Sequence, residues 1–222
     1  ERTFPEMERF QQSESDRCKS DKKERRSRLT LCLKPFTNKK KMEIQKQCKK
    51  SELNILDIGT GSGAITISLA KYLDKSHVIS ADISDIALEI ASKNAISNNV
   101  DERIDFIKSD VFSNVPKEEK FDLIVSNPPY IRKADIDGLD RQVKDFEPYN
   151  ALEGGEDGLD FYRKITEESK YFLKNKGILA YEVGHDQAQD VSQIMQENGF
   201  EGIYTKCDLQ GFERVVIGFY NN

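Results

Sequence analysis

A regular alternation of two kinds of segment, beginning at Leu53, constrains the fold of this chain more than any other feature of its sequence. Short apolar segments predict strands, and the longer segments that follow most of them have the spacing of helices. The predicted strands are LNILDIG, HVISADIS, RIDFIKSD, FDLIVS, KGILAYEVG, FEGIYTKCD and FERVVIGFY, and the predicted helices are GAITISLAKYL, DIALEIASKNAISNN, GLDFYRKITEESKYFL and DQAQDVSQIMQENG. Such an alternation is typical of right-handed βαβ units and a parallel sheet.

The final two predicted strands are joined by only three residues, LQG. A connection this short cannot cross over a sheet, so this pair must be antiparallel. We therefore predict an α/β fold, a doubly wound and mostly parallel sheet of seven strands in which the last strand is antiparallel. In sheets of this kind, ligands bind beyond the carboxyl ends of the strands, where the strand order reverses.

Charge divides the 222-residue chain into two parts of different character. Residues 1–50 carry 16 Lys and Arg against 8 Asp and Glu, a net charge of +8, and show no sustained hydrophobic period. Residues 51–222 carry 18 against 31, a net charge of −13. We interpret residues 1–50 as a basic, poorly ordered extension and residues 51–222 as one folded domain. Contact with nucleic acid is the alternative for the basic part, because Lys and Arg attract phosphate.

Cysteine usage and hydropathy indicate where the protein is located and whether it binds a metal ion. The four cysteines, Cys18, Cys32, Cys48 and Cys207, form no CxxC pair, so we interpret them as reduced thiols and expect no metal site. No run of about 18 apolar residues predicts a membrane span, and we find no apolar core of a signal peptide. We therefore expect a cytoplasmic protein, and we expect it to be a monomer.

A glycine-rich turn, DIGTGSGA at residues 57–64, ends the first predicted strand. Glycine permits a tight turn and lets a ligand lie against bare backbone, while the helix that follows presents free N–H groups. The turn is ambiguous by itself, because Gly59, Gly61 and Ala64 also match the GxGxxA variant of the dinucleotide fingerprint. A nicotinamide-dependent oxidoreductase and a turn without any ligand are therefore both alternatives at this point.

Asp82 ends the second predicted strand. An acidic side chain at this point is placed to accept hydrogen bonds from both ribose hydroxyls of a bound nucleoside. The structural alternative is a cap on the helix that follows. Ser84 and Asp85 already supply two candidates for that cap, so we expect Asp82 to be free for the ligand.

Two further acidic residues refine the expected ligand. Asp110 follows the third predicted strand and is placed to reach an adenine amino group, with Val111 and Phe112 beside the ring. A loop carboxylate with packed neighbours is the alternative. Asp57 lies just before the glycines, where a carboxylate suits the cation of a sulfonium amino acid and repels a dinucleotide pyrophosphate. This favours S-adenosylmethionine as the cofactor.

The segment FDLIVSNPPY, residues 121–130, ends an apolar strand with an Asn, two prolines and an aromatic ring. Asn127 offers a carbonyl acceptor and an NH₂ donor, and Pro128 offers a carbonyl beside a fixed φ. These two acceptors can bind both hydrogens of a planar NH₂ group, while Tyr130 lies flat against the rest of the substrate. Catalysis then rests on positioning and desolvation. A proline-rich turn that only ends the strand is the alternative.

Four motifs together resemble the HemK/PrmC family over roughly residues 51–222: GTGSG at 59–63, Asp82, NPPYI at 127–131 and FEPYNALEGGEDGLDFYR at 146–163. NPPY alone marks a wider set of amino-methylating enzymes, whereas the last block is much more specific. The resemblance implies a class I, Rossmann-like methyltransferase. Such enzymes transfer a methyl group from S-adenosylmethionine to the amide nitrogen of the glutamine in the GGQ loop of peptide chain release factors. The family's helical N-terminal domain and PRPET-like linker are not recognisable here, where LTLCLKPFTNKKK stands instead.

The resemblance also implies the roles of individual residues. The expected cofactor contacts, with Asp57 and Asp110 added from the reasoning above, are Asp57, Gly59, Thr60, Gly61, Ser62, Gly63, Asp82, Asp110, Val111 and Asn127. The residues expected to hold the glutamine amide are Asn127, Pro128, Pro129 and Tyr130. Among these, Asn127, Pro128 and Tyr130 are expected to be catalytic, and a release factor is the expected protein partner.

Two alternatives remain beside this interpretation. An exocyclic amino group on a nucleic-acid base presents the same geometry to the NPPY segment. The net charge of −13 over residues 51–222 disfavours such a polyanionic substrate. The other alternative is a methyltransferase-like module that binds cofactor or partner without turnover.

Overall fold

Seven strands form one sheet in the computed structural model, which describes residues 52–138 and 149–221. The strands are β1 (Leu53–Ile58), β2 (Ser76–Asp82), β3 (Ile104–Lys108), β4 (Phe121–Ser126), β5 (Leu173–Glu182), β6 (Phe200–Cys207) and β7 (Glu213–Tyr220). The helices are α1 (Ala64–Tyr72), α2 (Asp85–Ser97), α3 (Asp160–Ser169) and α4 (Ala188–Glu197), with short 3₁₀ turns at Asp101–Arg103, Lys133–Gly138 and Tyr149–Ala151. No helix within the described ranges is long and apolar enough to cross a membrane.

The strand order in the sheet is β3-β2-β1-β4-β5-β7-β6. Neighbouring strands from β3 to β5 are parallel, and β7 is antiparallel to both β5 and β6. The chain reverses before β7 through a tight turn in which Asp208 accepts the backbone N–H groups of Gln210 and Phe212 at 2.8 and 3.1 Å. The predicted fold class is confirmed. From β1, the chain adds β2 and β3 on one side of the sheet. From β4, it adds β5, β7 and β6 on the other side, so the strand order reverses between β1 and β4.

Both faces of the sheet are buried. Each strand places alternate side chains on opposite faces, and helices cover both faces. In β1, Leu56 and Ile58 pack into one apolar cluster, and Leu53 and Ile55 pack into the other. Helices α3 and α4 contribute to the first cluster, and helices α1 and α2 contribute to the second. The central strands are therefore held from both sides, which gives the loops at their carboxyl ends a rigid base.

Helix α3 is shorter than the sequence pattern predicts. The pattern extends the helix to Leu173, whereas α3 ends at Ser169 and β5 begins at Leu173. The carbonyl of Phe172 accepts the backbone N–H of Phe121 at 2.8 Å, so the chain already lies beside β4 at this point. Strand pairing and the burial of Phe172 and Leu173 therefore outweigh the helical pattern of the segment.

Several expectations concern residues outside the described ranges. The basic extension over residues 1–50 lies there, as do Cys18, Cys32, Cys48 and the first three residues of the FEPYNALEGG block. Cys207 is described, and its side chain is exposed. The domain boundary at residue 51 stays a prediction, with β1 beginning two residues later.

Candidate active site

Three loops leave the sheet side by side at the carboxyl ends of β1, β2 and β4. Ile58 pairs with Ala81 of β2 on one side and with Ser126 of β4 on the other. The Ser126 hydroxyl donates a hydrogen bond of 2.8 Å to the Ile58 carbonyl, which ties the ends of β1 and β4 together. The glycine loop (residues 59–63) and the NPPY corner (residues 127–130) therefore meet where the strand order reverses, the usual ligand position in such sheets.

The glycine loop is shaped by backbone conformations that favour glycine. Gly59, Gly61 and Gly63 have φ angles of 72°, 55° and 80°, a region that L side chains rarely adopt. A Cβ atom added to Gly59 or Gly61 would meet nothing within 4 Å. A Cβ atom on Gly63 would lie 3.1 Å from side-chain atoms of Ala91 and Ile67, where α1 approaches α2. The first two glycines therefore leave room for a ligand, and the third permits close helix packing.

Asp57 lies beneath the glycine loop and is fully buried. Its Oδ2 atom accepts hydrogen bonds from the hydroxyls of Thr60 (2.9 Å) and Thr66 (2.5 Å), while its buried Oδ1 atom has no partner. Burial raises the pKa of Asp57 from 3.8 to about 6, and the nearby charge of Asp82 adds to this rise. The expected contact between Asp57 and a ligand stays a prediction, with the unpaired Oδ1 atom as the acceptor that a ligand could reach. The charge of the buried carboxylate also acts on a ligand through its field.

Asp82 joins the glycine loop to the start of α2. Its Oδ2 atom accepts the backbone N–H of Gly61, and its Oδ1 atom accepts that of Ser84, each at 2.9 Å. Ser84 is the N-cap of α2, and its hydroxyl accepts the backbone N–H of Ala87 at 3.3 Å. Ser84 therefore caps α2, as one of the two candidates that the sequence offers, but Asp82 is not free, because each of its oxygens accepts a backbone N–H. Each carboxylate oxygen still has a second acceptor site, and the side chain is only half-buried.

The loop after β3 carries the residues expected to contact adenine. Asp110 is exposed and forms an ion pair of 3.2 Å with Lys164. Val111 is buried with a φ of 52°, and such a conformation costs a β-branched residue on the order of 1–3 kcal/mol. Phe112 stacks on Phe172 inside the core, with the ring centroids 4.7 Å apart. Phe112 is therefore a core residue, and its predicted place beside a ligand ring stays a prediction.

The NPPY corner combines one exposed polar residue with three buried or half-buried neighbours. Asn127 is exposed, Pro128 is buried, and Pro129 and Tyr130 are half-buried. Tyr130 packs against the apolar cluster to which α3 and α4 contribute. The structure thus brings the predicted substrate residues together, at the same end of the sheet as the glycine loop.

A second segment, residues 152–158, supports the NPPY corner from behind, and we call it the glycine platform. The backbone N–H of Ile131 donates to the carbonyl of Leu152, and the N–H of Gly154 donates to the carbonyl of Ile131, both at 2.9 Å. The backbone N–H of Lys133 donates to the carbonyl of Gly155, which also belongs to the platform, at 3.0 Å. The chain that follows the NPPY corner is therefore paired to the platform like a short strand.

Two glycines of the platform allow its backbone to approach the NPPY corner closely. A Cβ atom on Gly154 would lie 2.7 Å from the carbonyl oxygen of Pro129. A Cβ atom on Gly158 would collide with the carbonyl oxygen of Tyr130, and Gly158 also has a φ of 77°. The sequence alone indicates no role for these glycines, although both belong to the LEGGEDGL part of the block that resembles the HemK/PrmC family.

The predicted residues fall into three groups by position. Gly59–Gly63, Asp82 and residues 127–130 line one end of the sheet, and Asp110 and Val111 follow the neighbouring strand β3. Asp57 lies underneath the first group. Over residues 52–138 and 149–221, the structure shows no group of three or more His, Cys, Asp or Glu side chains that could hold a metal ion. The arrangement suits an organic ligand above the glycine loop and a second molecule at the NPPY corner.

Comparison with known proteins defines the class. The family model "Methyltransferase small domain" matches residues 41–142 of the chain. The crystal structure of a methyltransferase from Pyrococcus furiosus superposes with a TM-score of 0.60 at 20% identity, covering 82% of each chain. The fold is therefore that of the class I S-adenosylmethionine-dependent methyltransferases, with β7 reversed beside β5. The dinucleotide-binding fold has a different strand order, so the reversed β7 between β5 and β6 disfavours the oxidoreductase alternative.

Two relatives identify the family within this class. The release factor glutamine methyltransferase of Fusobacterium nucleatum is 45% identical over 174 residues, which covers 78% of this chain and 49% of the relative. That of Clostridium acetobutylicum is 46% identical over 164 residues, which covers 73% of this chain and 58% of the relative. The chain belongs to the release factor glutamine methyltransferase family, the HemK/PrmC family that its motifs resemble. It spans 49% and 58% of the lengths of these two relatives.

Proposed function

We propose that this chain transfers a methyl group from S-adenosylmethionine to the side-chain amide nitrogen of the glutamine in the GGQ loop of a peptide chain release factor. The observation that carries the proposal is the exposed Asn127 amide at the NPPY corner, beside the glycine loop and backed by the glycine platform. The two relatives described above carry the name of this activity. We extend the activity to this chain because its described residues keep the parts that the chemistry requires.

The residues of the glycine loop and its surroundings fit S-adenosylmethionine. Gly59 and Gly61 leave open space above the backbone, as a ligand lying on the loop requires. Asp82 has acceptor sites for two ribose hydroxyls, and the N–H of Gly61 holds its carboxylate in place. Asp57, with a pKa of about 6, is mostly ionised at neutral pH and places a negative charge under the loop. The cofactor supplies an electrophilic methyl group on a positively charged sulfur, which this charge favours.

Asp110 and Val111 are assigned to the adenine ring of the cofactor. The strained backbone of Val111 is held by Ser109, whose hydroxyl donates to the Val111 carbonyl at 2.8 Å. Such strain at a binding loop is typical of a backbone shaped for a ligand. The ion pair of Asp110 with Lys164 is exposed, so it competes little with a hydrogen bond to an adenine amino group.

The NPPY corner is assigned to the substrate glutamine. The Asn127 side-chain carbonyl and the Pro128 backbone carbonyl accept the two hydrogens of the glutamine NH₂ group, which turns the nitrogen toward the glycine loop. Tyr130 lies against the plane of the amide. Positioning and exclusion of water supply the rate acceleration, because the methyl donor is already cationic and the nitrogen releases its proton after the new bond forms.

Charge favours a protein substrate over nucleic acid. Residues 51–222 carry a net charge of −13, which repels a phosphate backbone. We therefore treat methylation of a nucleic-acid base as an outcome of the experiment and not as a second proposal. The module without turnover is treated in the same way.

The experiment measures transfer of labelled methyl groups from S-adenosylmethionine to three acceptors. The first is a release-factor domain with the GGQ glutamine intact, the second is the same domain with that glutamine changed to Glu, and the third is RNA. We expect transfer to the first acceptor only, because Glu has no NH₂ group to methylate.

The other outcomes would each overturn the proposal in a different way. Transfer to RNA alone would identify a nucleic-acid methyltransferase. Cofactor binding without transfer to any acceptor, while a full-length family enzyme succeeds in parallel, would identify a binding module.

A further inference from the structure

The side-chain amide of Gln187 connects three segments behind the candidate active site. Gln187 lies just before α4 and is only 2% exposed. Its Nε2 atom donates to the carbonyl of Tyr130 at 3.0 Å and to the carbonyl of Gly158 at 3.2 Å. Its Oε1 atom accepts the backbone N–H of Gly184 at 3.1 Å. One buried group thus binds the NPPY corner, the glycine platform and the loop after β5.

The three partners determine the orientation of the amide and the type of residue required. Two carbonyl oxygens face Nε2, which has two hydrogens to donate, and one N–H faces Oε1. A flipped amide would place oxygen against two carbonyls and NH₂ against an N–H group. A carboxylate at position 187 would also place oxygen against the carbonyls of Tyr130 and Gly158. Among side chains of this length, glutamine alone satisfies all three partners.

A neighbouring ion pair also joins the chain after the NPPY corner to the loop after β5, but its side chains are exposed to solvent. Arg132 contacts Asp186 at 2.9 Å, and their side chains are 39% and 42% exposed. Water screens such a pair, so it contributes little to holding the loops together. Hydrogen bonds of a buried amide are not screened in this way, and leaving their partners unsatisfied is costly. Lys133 and Glu156 form a second ion pair at 3.6 Å, which joins the chain after the NPPY corner to the glycine platform, and their side chains are 59% and 88% exposed. Among the described residues, Gln187 therefore supplies a buried and unscreened side-chain link between the NPPY corner and the platform.

We propose that Gln187 is a positioning residue for methyl transfer. It holds the Tyr130 carbonyl, and through it the NPPY corner, in the place from which Asn127 and Pro128 orient the substrate amide. Because transfer in this site depends on alignment, a small displacement of the corner lowers the turnover rate. The three hydrogen bonds of the Gln187 amide go to Gly184, Tyr130 and Gly158 and not to the glycine loop, so we expect the affinity for cofactor to be independent of it. This inference rests on the proposed function.

The kinetic test uses Gln187→Met, which keeps the length of the side chain and removes its hydrogen bonds. We expect kcat for the release-factor domain to fall on the order of 10- to 100-fold, while the Kd for S-adenosylmethionine changes less than about threefold. Ser76→Ala is the matched control: it removes a buried hydroxyl that donates to Leu73 at 2.7 Å, at the opposite end of the sheet. Its kcat should equal that of the wild type.

A second measurement separates this inference from the proposed function, because it needs no substrate. Hydrogen exchange at the backbone amides of Ile131 and Gly154 should become faster in Gln187→Met, whereas exchange in β1 and β2 should not change. In the wild type, the Gln187 NH₂ protons should be protected from exchange in an NMR spectrum, which tests the contact even when the variant fails to fold.

The remaining results each contradict either the proposed function or the positioning role of Gln187. Wild-type protein without methyl transfer contradicts the proposed function, while the exchange data still test Gln187. Unprotected Gln187 NH₂ protons, or a folded Gln187→Met variant with wild-type kcat and exchange, would overturn the positioning role. An equal loss of cofactor affinity and kcat would also overturn it, because that indicates a general structural role.

Discussion

The carboxylate of Asp82 accepts the backbone N–H of Gly61 at 2.9 Å, across 21 residues of sequence. This contact fixes the glycine loop relative to the end of β2 before any ligand arrives. Asp82→Ala removes both this link and the proposed ribose acceptors. We expect the variant to lose about 1.5–3 kcal/mol of S-adenosylmethionine binding, the scale of hydrogen bonds to a charged group. Calorimetric titration, with thermal unfolding followed alongside, measures this loss.

Asp105→Ala is the matched control for Asp82. Asp105 lies near the start of β3, is exposed and contacts His77 near the start of β2 at 3.2 Å, at the end of these strands opposite Asp82. Its removal should leave the cofactor affinity unchanged. A folded Asp82→Ala protein with wild-type affinity would show that the ribose assignment is wrong.

Asn127 should matter for transfer more than for cofactor binding. Asn127→Ala removes one of the two proposed acceptors, and Asn127→Asp adds a negative charge at the site. Both variants should lose methyl transfer by a factor on the order of 10² or more, the usual scale for a lost positioning contact. Both should keep much of their S-adenosylmethionine binding, with the Asp variant altered more. Wild-type turnover in Asn127→Ala would contradict the role of the NPPY corner.

Asp57 should make the stability of the protein depend on pH. Burial raises its pKa from 3.8 in the unfolded chain to about 6 in the folded state, so the folded state holds this proton more tightly. The resulting stabilisation is complete below about pH 4 and is lost as pH rises to about 6. Over this window, the wild type should lose about 3 kcal/mol relative to Asp57→Asn, whose side chain does not titrate.

Chemical denaturation of both proteins at a series of pH values measures this difference. Thr66→Val provides a second comparison, because the Thr66 hydroxyl donates to Asp57 at 2.5 Å and lowers its pKa. Its removal should extend the window to higher pH. Parallel stability curves for the wild type and Asp57→Asn would show that Asp57 titrates normally.

Gly158 should be less tolerant of alanine than a glycine of similar conformation elsewhere. Gly158 and Gly199 have φ angles of 77° and 86°, but an added Cβ meets the Tyr130 carbonyl at Gly158 and nothing within 4 Å at Gly199. Gly158→Ala should therefore destabilise the protein by about 1–3 kcal/mol more than Gly199→Ala, the usual cost of overpacking. Urea denaturation compares the two. Equal losses would mean that the platform moves away without cost.

The alternation of segments in the sequence was enough to predict the sheet. Strands buried on both faces must be apolar, and this property is visible in short segments of the sequence such as LNILDI and DLIV. The end of α3 was predicted wrongly for the opposite reason. The residues around Phe172 carry a helical pattern, and only pairing with Phe121, 51 positions earlier, turns them into the approach to β5.

The sequence also located much of the candidate site, because the predicted residues directly follow strands. Gly59, Asp82 and Asn127 each stand at the carboxyl end of a parallel strand, and parallel strands end on one side of a sheet. It did not predict the depth of Asp57, because burial depends on how Thr60 and Thr66 close over the carboxylate. The packing of Phe112 on Phe172 was missed for the same reason.

Gln187 shows what only the tertiary structure decides. Its partners at Tyr130 and Gly158 lie 57 and 29 residues earlier in the chain, and Gln187 contacts both through their backbone carbonyls. Every residue has such a carbonyl, so nothing in the sequence marks these two as its partners. The sequence determined which segments become strands and which polar residues follow them, because hydrophobic period and turn chemistry are local. The fold alone decided which backbone groups meet a buried amide, because that depends on distances between segments that are remote in the chain.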